Sequence, residues 1–425
     1  MRFLMLTQYF VPEVGASQLR LAAMCRELRR MGHDVEVVTA MPNYPAGQIH
    51  PEYRNRFYLA DVWEGIRVHR VWLYAATGSG LGRYLNYFSF ALTCLYPLLW
   101  AARPDFIFVE SPPLPLSVPA FIISRLRRTR FIFNVADLWP DLARTLGLVK
   151  PGLALTLAES LEAWSYRKAA YVCAVTEGIK ATLLKTKGVP ERKLLKLPNG
   201  IDPKLYRCLT PDVALQSEMG LQGKHVIIYA GTHGYSHGLE RVLASAKLLS
   251  DDFHFLLVGS GSEKARLISL AVEWKLKNVT FLDPVTPEQI ARMMSFALAG
   301  LVSLRDARVA EDARPAKTLA VMACGKPVLY IGKGEGARLV TEAKAGIVIE
   351  RTSAEEVASA VQLLGNNTAL AEELGRNGSL YATEHLSWSI LIHAWLEQLR
   401  AADDASHVAI TPSVTQPAVN LSGED

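Results

Sequence analysis

Short apolar runs alternate with amphipathic stretches along most of the 425-residue chain. Near the N-terminus, the apolar runs 3–6 and 35–38 predict buried strands, and the spacing of apolar residues across 19–31 predicts a helix between them. A strand, a helix and a strand in this order form a βαβ unit, which predicts a parallel sheet. Four later runs predict further strands at residues 68–73, 106–109, 131–135 and 171–175.

The same alternation starts again after a turn-rich stretch at residues 197–203. Six apolar runs then predict a second doubly wound parallel sheet, with strands at 226–230, 255–258, 279–282, 300–303, 328–331 and 347–349. A chain of this length is expected to form two domains. We therefore expect one domain in 1–197, a second in 198–385, a helix crossing back to the first in 386–402, and a disordered tail in 403–425.

An almost wholly apolar and aromatic segment, residues 84–100, interrupts the first half. Arginines flank this segment, and a second apolar stretch at 114–123 precedes four more arginines. Both stretches are shorter than the roughly 20 residues that a membrane-spanning helix needs. Two interpretations stay open: an interfacial helix pair whose cationic ends meet anionic lipid headgroups, and a pair of buried core helices.

Composition narrows the class of protein. The net charge of +5 is small for this length and is not concentrated in a basic cluster, so no nucleic-acid partner is expected. A small positive excess does suit nucleotide phosphates or an acidic membrane surface. The five cysteines are scattered without a Cys-x-x-Cys pair, so we expect neither disulfides nor a zinc site. We also expect no other bound metal and no cofactor. The N-terminus lacks the features of a signal peptide, which predicts a cytoplasmic protein.

Glycine-rich loops follow the first two strands of the predicted second sheet. Ligands in such sheets bind at the carboxyl ends of the strands, and glycine lets the backbone approach a phosphate closely. Each loop alone is a weak signal, but two at equivalent strand ends favour an anionic ligand. The candidate ligand-binding residues are Gly231, His233, Gly234, His237, Gly259 and Gly261.

A lysine marks the start of a later predicted helix. Pro315 suits the first position of this helix, and Lys317 lies in its first turn. A cation is unfavourable at a helix N-terminus unless an anion binds there. We therefore predict that Lys317 and the neighbouring N–H groups hold a diphosphate.

Two further candidates lie in the first half. Gly15, between the first strand and helix, would let backbone N–H groups approach a ligand, while Ser17 could cap the helix. A plain tight turn is the alternative. Asp137 follows the strand 131–135 and could accept the proton of a substrate hydroxyl. Asp137 could equally cap a helix, and spacing alone does not decide.

Six motifs, taken in order, resemble those of the retaining glycosyltransferases of family 4. The resemblance is closer to the bacterial branch that makes surface polysaccharides, such as the fucosamine transferases of O-antigen and capsule pathways. It implies the GT-B fold, in which two Rossmann-like domains face a deep cleft. The motifs are residues 8–13 with Gly15, 42–47, 111–113, 137–140, 198–202, and 315–317 with 322–328.

The resemblance implies metal-independent transfer of a sugar from a nucleotide sugar, usually a UDP-sugar, with the anomeric configuration retained. It also implies a lipid-linked or glycan acceptor in cell-surface polysaccharide synthesis. Such an acceptor would place the protein on the inner face of the cell membrane. Asp137 would then orient the acceptor, and Lys317 would stabilise the leaving diphosphate.

The sequence departs from the family pattern at the donor site. Family members carry two glutamates eight positions apart, and the second holds the donor ribose; here Asp312 and Ala320 occupy these positions. Many members also have arginine and lysine where this chain has Thr232 and His237. Asp312 is therefore a candidate donor-binding residue, and His237 would be only partly charged near neutral pH. Two alternatives stay open beside an active transferase: a non-catalytic binding homologue and a nucleotide-sugar epimerase.

Overall fold

The computed structural model describes residues 1–76, 80–145, 152–305, 311–351 and 353–408. The first sheet has the strand order β3-β4-β2-β1-β5-β6-β7-β8, with all neighbours parallel except β3 and β4. Its strands are β1 (Arg2–Leu6), β2 (Asp34–Ala40), β3 (Tyr58–Trp63), β4 (Ile66–Val71), β5 (Phe106–Ser111), β6 (Arg130–Val135), β7 (Tyr171–Ala174) and β8 (Leu194–Lys196).

All six strands predicted in the first half are present, and β3 and β8 are additional. β3 and β4 form a hairpin whose turn residues, Glu64 and Gly65, both have positive φ, as two-residue hairpin turns require. β3 is an edge strand and only half-buried, so no continuous apolar run marks it. β8 has only three residues.

Helices cover both faces of this sheet. Because side chains alternate along a strand, Leu4 packs in one apolar cluster while Phe3 and Met5 pack in the other. The helices are α1 (Ala16–Arg30), α2 (Leu81–Thr93), α3 (Leu95–Trp100), α4 (Ser117–Leu126), α5 (Asp141–Thr145), α6 (Leu153–Lys168) and α7 (Glu177–Lys185).

The second sheet is wholly parallel, in the order β11-β10-β9-β12-β13-β14. Its strands are β9 (His225–Ala230), β10 (Phe253–Val258), β11 (Val279–Leu282), β12 (Ala299–Ser303), β13 (Val328–Ile331) and β14 (Gly346–Ile349). All six match predicted strands. The strand order reverses between β9 and β12, and the crevice at such a reversal is where ligands bind in open α/β sheets.

Apolar clusters also cover both faces of the second sheet. The helices that contribute to them or flank them are α8 (Val213–Glu218), α9 (Glu240–Ala246), α10 (Lys264–Glu273), α11 (Pro287–Ser295), α12 (Ala316–Ala323), α13 (Glu335–Glu342), α14 (Ala354–Asn366) and α15 (Thr368–His385). The structure thus contains two Rossmann-like units, as the sequence predicts.

The last helix, α16 (Trp388–Val408), packs on the first sheet. Trp395 is fully buried between the rings of Phe3 and Phe108, with ring centroids 5.7 and 5.8 Å away. The helix continues past the predicted boundary at 402, because Asp403 pairs with Arg130 of β6. The rest of the predicted tail, 409–425, lies outside the described residues.

The chain passes between the two sheets at neighbouring points. Ile201, just after the first sheet, forms a β-bridge with Ser387, just before α16. Ile201 N donates to Leu386 O at 2.8 Å, and Trp388 N donates to Ile201 O at 3.2 Å. The outgoing and returning chain segments are therefore hydrogen-bonded to each other.

Candidate active site

We call residues 231–238, after β9, the first loop and residues 259–263, after β10, the second loop. The two loops lie against each other at the carboxyl ends of their strands. His233 N donates to Ser260 O at 2.8 Å, and Glu263 N donates to His233 O at 2.9 Å. A Cβ on Gly259 would overlap the Gly231 carbonyl, and one on Gly261 would overlap the His233 backbone. Packing between the loops therefore accounts for glycine at 259 and 261 without a ligand.

Gly231 and Gly234, unlike Gly259 and Gly261, do not lie at the contact between the two loops' backbones on the side where a Cβ would be placed. A Cβ on Gly231 would lie 3.2 Å from the Nζ atom of Lys317, so this glycine faces the predicted cation. A Cβ on Gly234 would make only ordinary contacts, with Thr232 at 3.5 Å and His237 at 3.9 Å. The backbone of the first loop at Gly231 is thus covered only by the Lys317 side chain on that side, while the second loop is hydrogen-bonded to the first at His233.

Lys317 lies in the first turn of α12, as predicted, with Pro315 at the N-cap position. Its Nζ donates to the Tyr229 hydroxyl at 2.7 Å and lies 4.1 Å from the centroid of that ring. No carboxylate in the described parts of the chain forms an ion pair with it, and none contributes to its pKa. Lys317 is half-buried between the first loop and α12, and this desolvation lowers its pKa to about 7. An anion bound here would restore the lost solvation of the ammonium.

The two histidines of the first loop are neutral near pH 7. His233 is fully buried, and burial with the nearby Lys264 lowers its pKa to about 4. Burial, with Lys317 close by, lowers the pKa of His237 to about 3, and its Nδ1 lies 3.4 Å from the Ser303 carbonyl oxygen. The expectation that His237 carries a partial charge is wrong, because desolvation and a neighbouring lysine both disfavour the imidazolium.

Two arginines at this edge were missed by the sequence patterns. Arg241 lies in the first turn of α9, and Arg305 lies two residues after the end of β12. Both side chains lie over Gly238, where a Cβ would come within about 3 Å of each of them. Arg241 carries the same signal that identified Lys317, namely a cation at a helix N-terminus.

Asp312 and Ala320, which stand where the family has its two glutamates, lie in different environments. Ala320, on α12, packs against the apolar core of the second domain. Asp312 lies against Gly178 in the first turn of α7, where a Cβ would overlap its carboxylate. Gly178 N also donates to Glu335 Oε2 at 3.1 Å. Asp312 therefore lies at a contact between the two domains.

Asp137 lies at the carboxyl edge of the first sheet, two residues after β6. Its side chain reaches solvent, but the surrounding protein desolvates the carboxyl and so raises its pKa. The nearby Arg20 guanidinium opposes this effect and lowers the pKa. Within the described ranges no group donates a hydrogen bond to this carboxylate, so Asp137 does not cap a helix. The carboxylate is available to a ligand.

A buried ion pair supports Asp137 from behind. Glu110, at the end of β5, pairs with Arg20 and accepts a hydrogen bond from Asn134 Nδ2 at 2.9 Å. Arg20 also donates to Asn199 Oδ1 at 3.1 Å in the interdomain linker. These polar residues, which the sequence patterns did not indicate, tie the first domain's cleft edge to the linker.

Gly15 is the N-cap residue of α1, with an extended backbone that any residue adopts. A Cβ there would lie 2.5 Å from Gln18 Oε1, so glycine makes room for that side chain. Ser17 lies inside the helix and does not cap it. Its hydroxyl lies 3.5 Å from Glu110 Oε1 instead.

The apolar segment forms α2 and α3, which contact each other and α4. Features of both interpretations are present, because inner residues such as Asn86, Phe90 and Leu98 are buried while the outer sides are exposed. Asn86 Oδ1 accepts from Gln8 Nε2 at 2.5 Å, which joins α2 to the loop after β1. We call the exposed set the apolar face; it comprises Leu81, Leu85, Phe88, Leu92, Tyr96, Leu99, Trp100, Val118, Ile122 and Leu126.

Arginines border this face. Arg83, Arg103, Arg125 and Arg128 are all exposed around the three helices. Of the helices described, none combines the length and hydrophobicity needed to cross a membrane. Among the same residues, no three histidine, cysteine, aspartate or glutamate side chains are grouped to hold a metal ion.

Comparison with known families identifies this arrangement. Residues 15–200 match the glycosyl transferase 4-like domain, and residues 216–380 match the glycosyl transferases group 1 domain. Together these matches span most of the chain, one for each sheet. The chain belongs to the family 4 glycosyltransferases of GT-B fold.

Individual relatives agree with this assignment. WcaI of Escherichia coli K12, named as a colanic acid biosynthesis glycosyl transferase, is 28% identical over 327 residues, covering 74% of this chain and 79% of WcaI. Sucrose-phosphate synthase from Thermosynechococcus elongatus has a similar structure, with a TM-score of 0.73 at 18% identity, covering 95% of this chain and 99% of that one. Anabaena HepE in complex with UDP-glucose gives 0.70 at 17% identity, covering 94% and 100%. These similar structures share the GT-B fold.

Proposed function

We propose that this glycosyltransferase moves a sugar from a UDP-linked donor to a lipid-linked or oligosaccharide acceptor, with retention, during synthesis of a cell-surface polysaccharide. The observation that carries the proposal is Lys317, a desolvated cation at a helix N-terminus beside the open loop at Gly231. That combination suits the diphosphate of a nucleotide sugar. The UDP and UDP-glucose bound to HepE, and the pathway named for WcaI, support the donor and the product class.

The roles of the site residues in the transfer follow from the negative charge that develops on the leaving diphosphate. As the glycosidic bond breaks, negative charge accumulates on the leaving diphosphate, and Lys317 with the first N–H groups of α12 stabilises it. The neutral His233 and His237 add no charge there. Asp137, at the facing sheet edge, orients the acceptor hydroxyl and accepts a hydrogen bond from it. Attack on the same face that the diphosphate leaves needs no strong base, because the departing phosphate oxygen can take the proton.

The apolar face supports a lipid-linked acceptor. Its three helices present exposed apolar stripes bordered by arginines, which suits insertion into the headgroup region of an anionic bilayer. Through Asn86 and Gln8, α2 is bonded to the loop that follows β1, at the edge where Asp137 lies. The protein would thus act on the inner surface of the cell membrane, with the acceptor's lipid in the bilayer and its sugar in the cleft.

Ligand-dependent melting tests the proposal. Purified protein is heated with UDP, GDP and several nucleotide sugars at millimolar concentration, since a ligand that binds the folded state must raise the melting temperature. We expect UDP and a UDP-sugar to raise it. The same donors, offered with lipid-linked acceptor extracts, should yield a new glycoside. A protein that no nucleotide stabilises would not be a nucleotide-sugar transferase.

Ala320 favours one competing function, a homologue that binds but does not transfer. An alanine packed on the core leaves no carboxylate at that position for the donor ribose, and losing such hydrogen bonds costs roughly 1–3 kcal/mol. Nucleotide binding without product from any donor and acceptor pair would support this second function. A new sugar isomer formed from a donor without acceptor would identify an epimerase instead.

A further inference from the structure

Lys317 alone does not balance the negative charge of a diphosphate in the proposed site. A nucleoside diphosphate carries several negative charges, and such groups are bound by several charge-assisted hydrogen bonds. Lys317 is the cation beside the open loop, while His233 and His237 are neutral. The groups that complete the charge balance must lie at the same strand ends, within reach of the first loop.

Arg305 meets this requirement by its place in the sheet. β12 pairs with β9, so the segment that follows β12, including Arg305, lies at the same edge as the loop that follows β9. Arg305 N donates to Ser236 O at 2.8 Å, and Ser303 Oγ donates to His237 O at 2.6 Å. The loop is therefore fastened to the end of β12, with Arg305 at its side.

The Arg305 side chain is oriented so that its donors remain available. Its guanidinium stacks on Tyr235, with Cζ 4.0 Å from the ring centroid. Stacking occupies the face of a guanidinium and leaves the in-plane N–H donors for oxygen ligands. Arg305 Nε is buried, and no acceptor in the described part of the chain bonds to it. A buried donor without an acceptor is costly, so an arriving phosphate oxygen would be favoured here.

Arg241 lies next to Arg305. A Cβ on Gly238 would lie 2.8 Å from Arg241 Nη2 and 3.0 Å from Arg305 Cγ, so the two side chains converge over this glycine. Gly238 directly follows the neutral His237 in the sequence. The two guanidinium groups and Lys317 thus approach the first loop from different elements: α9, β12 and α12.

We propose that Arg241 and Arg305, together with Lys317, hold the diphosphate of the nucleotide sugar. This inference rests on the proposed function and names its donor-binding groups. Arg305 supplies its in-plane N–H donors, and Arg241 adds a second guanidinium over Gly238. Lys317 binds beside Gly231.

Calorimetric titration with UDP and with uridine tests the inference, because only UDP carries the diphosphate. The variants are Arg241→Gln and Arg305→Gln, with Arg376→Gln on the exposed surface of α15 as the control for loss of one charge. We expect each site variant to bind UDP about tenfold or more weakly, the effect of losing a charged hydrogen bond. Uridine affinity should be unchanged in all variants, and Arg376→Gln should match the wild type.

The outcomes separate the two proposals. Wild-type binding of UDP with unchanged affinity in both site variants would overturn this inference alone, as would equal losses for UDP and uridine. A wild-type protein that binds no nucleoside diphosphate would overturn the proposed function as well. If Arg305→Gln does not fold, Arg305→Lys decides, since it keeps the charge without the planar fork. A clear loss of UDP affinity in that variant supports the inference, and wild-type affinity contradicts it.

Discussion

The ammonium of Lys317 donates to the hydroxyl of Tyr229 over 2.7 Å, and the same hydroxyl donates to the Thr232 carbonyl at 2.6 Å. These two hydrogen bonds fix the ammonium against the first loop, and no carboxylate in the described part of the protein pairs with it. A neutral phenol stabilises the charged form of a lysine poorly, so burial lowers the pKa of Lys317 to about 7. Its charge therefore depends on pH and on an anionic ligand.

UDP affinity should fall as pH rises above about 7. In the free protein Lys317 loses its proton in this range, and the bound diphosphate needs the charged form. Titration calorimetry at successive pH values up to about 9 measures the decline. Lys317→Arg should flatten the profile, because arginine stays protonated throughout. Identical profiles for the two proteins would contradict the role of Lys317.

Lys317→Met should stabilise the unliganded protein while weakening UDP binding. A lysine pKa lowered from 10.5 means that the charged form costs stability in the folded state, and this cost grows as pH falls from about 10 towards 7. Methionine removes the cost, so we expect a melting temperature higher by roughly 2 °C or more at neutral pH. Lys277→Met, on the exposed surface, is the control. A lower melting temperature for Lys317→Met would mean that the lysine is structural.

Gly259→Ala should destabilise the second domain. The added Cβ would overlap the Gly231 carbonyl, and the φ of +142° is itself unfavourable for alanine. Gly223→Ala is the matched control, since Gly223 also has positive φ but open space around it. The control should lose about 1–3 kcal/mol from backbone strain, and Gly259→Ala should lose more through the added overlap. Equal melting temperatures would show that the loops separate easily.

Asp137→Asn should lower turnover and leave donor binding intact. The carboxylate accepts the acceptor's hydroxyl proton in a hydrogen bond, whereas an amide accepts it more weakly. We expect kcat to fall by about tenfold or more, with UDP affinity and melting temperature near those of the wild type. Asp251→Asn, exposed in the second domain, serves as the comparison. Loss of UDP binding in Asp137→Asn would place this residue in the donor site instead.

Charging the apolar face should release the protein from membranes. Phe88→Glu with Leu92→Glu removes two side chains that are 57% and 71% exposed and adds two negative charges. Burying such side chains contributes roughly 1.5–3 kcal/mol each, so sedimentation with anionic lipid vesicles should fall at least about tenfold. Leu380→Glu, 59% exposed on α15, should leave sedimentation unchanged. A wild-type protein that stays in the supernatant would contradict the interfacial interpretation and favour that of core helices.

The fold was largely predictable because buried parallel strands appear as continuous apolar runs. Every predicted strand is present, whereas the half-buried edge strand β3 has no such run. Lys317 could be selected as a candidate because a cation at a helix N-terminus conflicts with the helix dipole, and the structure places it in the first turn of α12. Its role in binding stays a prediction. The pairing of Glu110 with Arg20, and the approach of Arg305 to Gly238, depend on strand order and loop packing. Neither leaves a local pattern in the sequence.

The bridge between Ile201 and Ser387 limits how the two domains can move. Within the described chain, both connections between the domains pass through this pair, and each is hydrogen-bonded to the other. Because the two connections are hydrogen-bonded side by side, we expect the domains to move relative to each other mainly by rotation about this point. Such a rotation would change the distance between Asp137 and Lys317, and would couple entry of the donor and approach of the acceptor to release of the products.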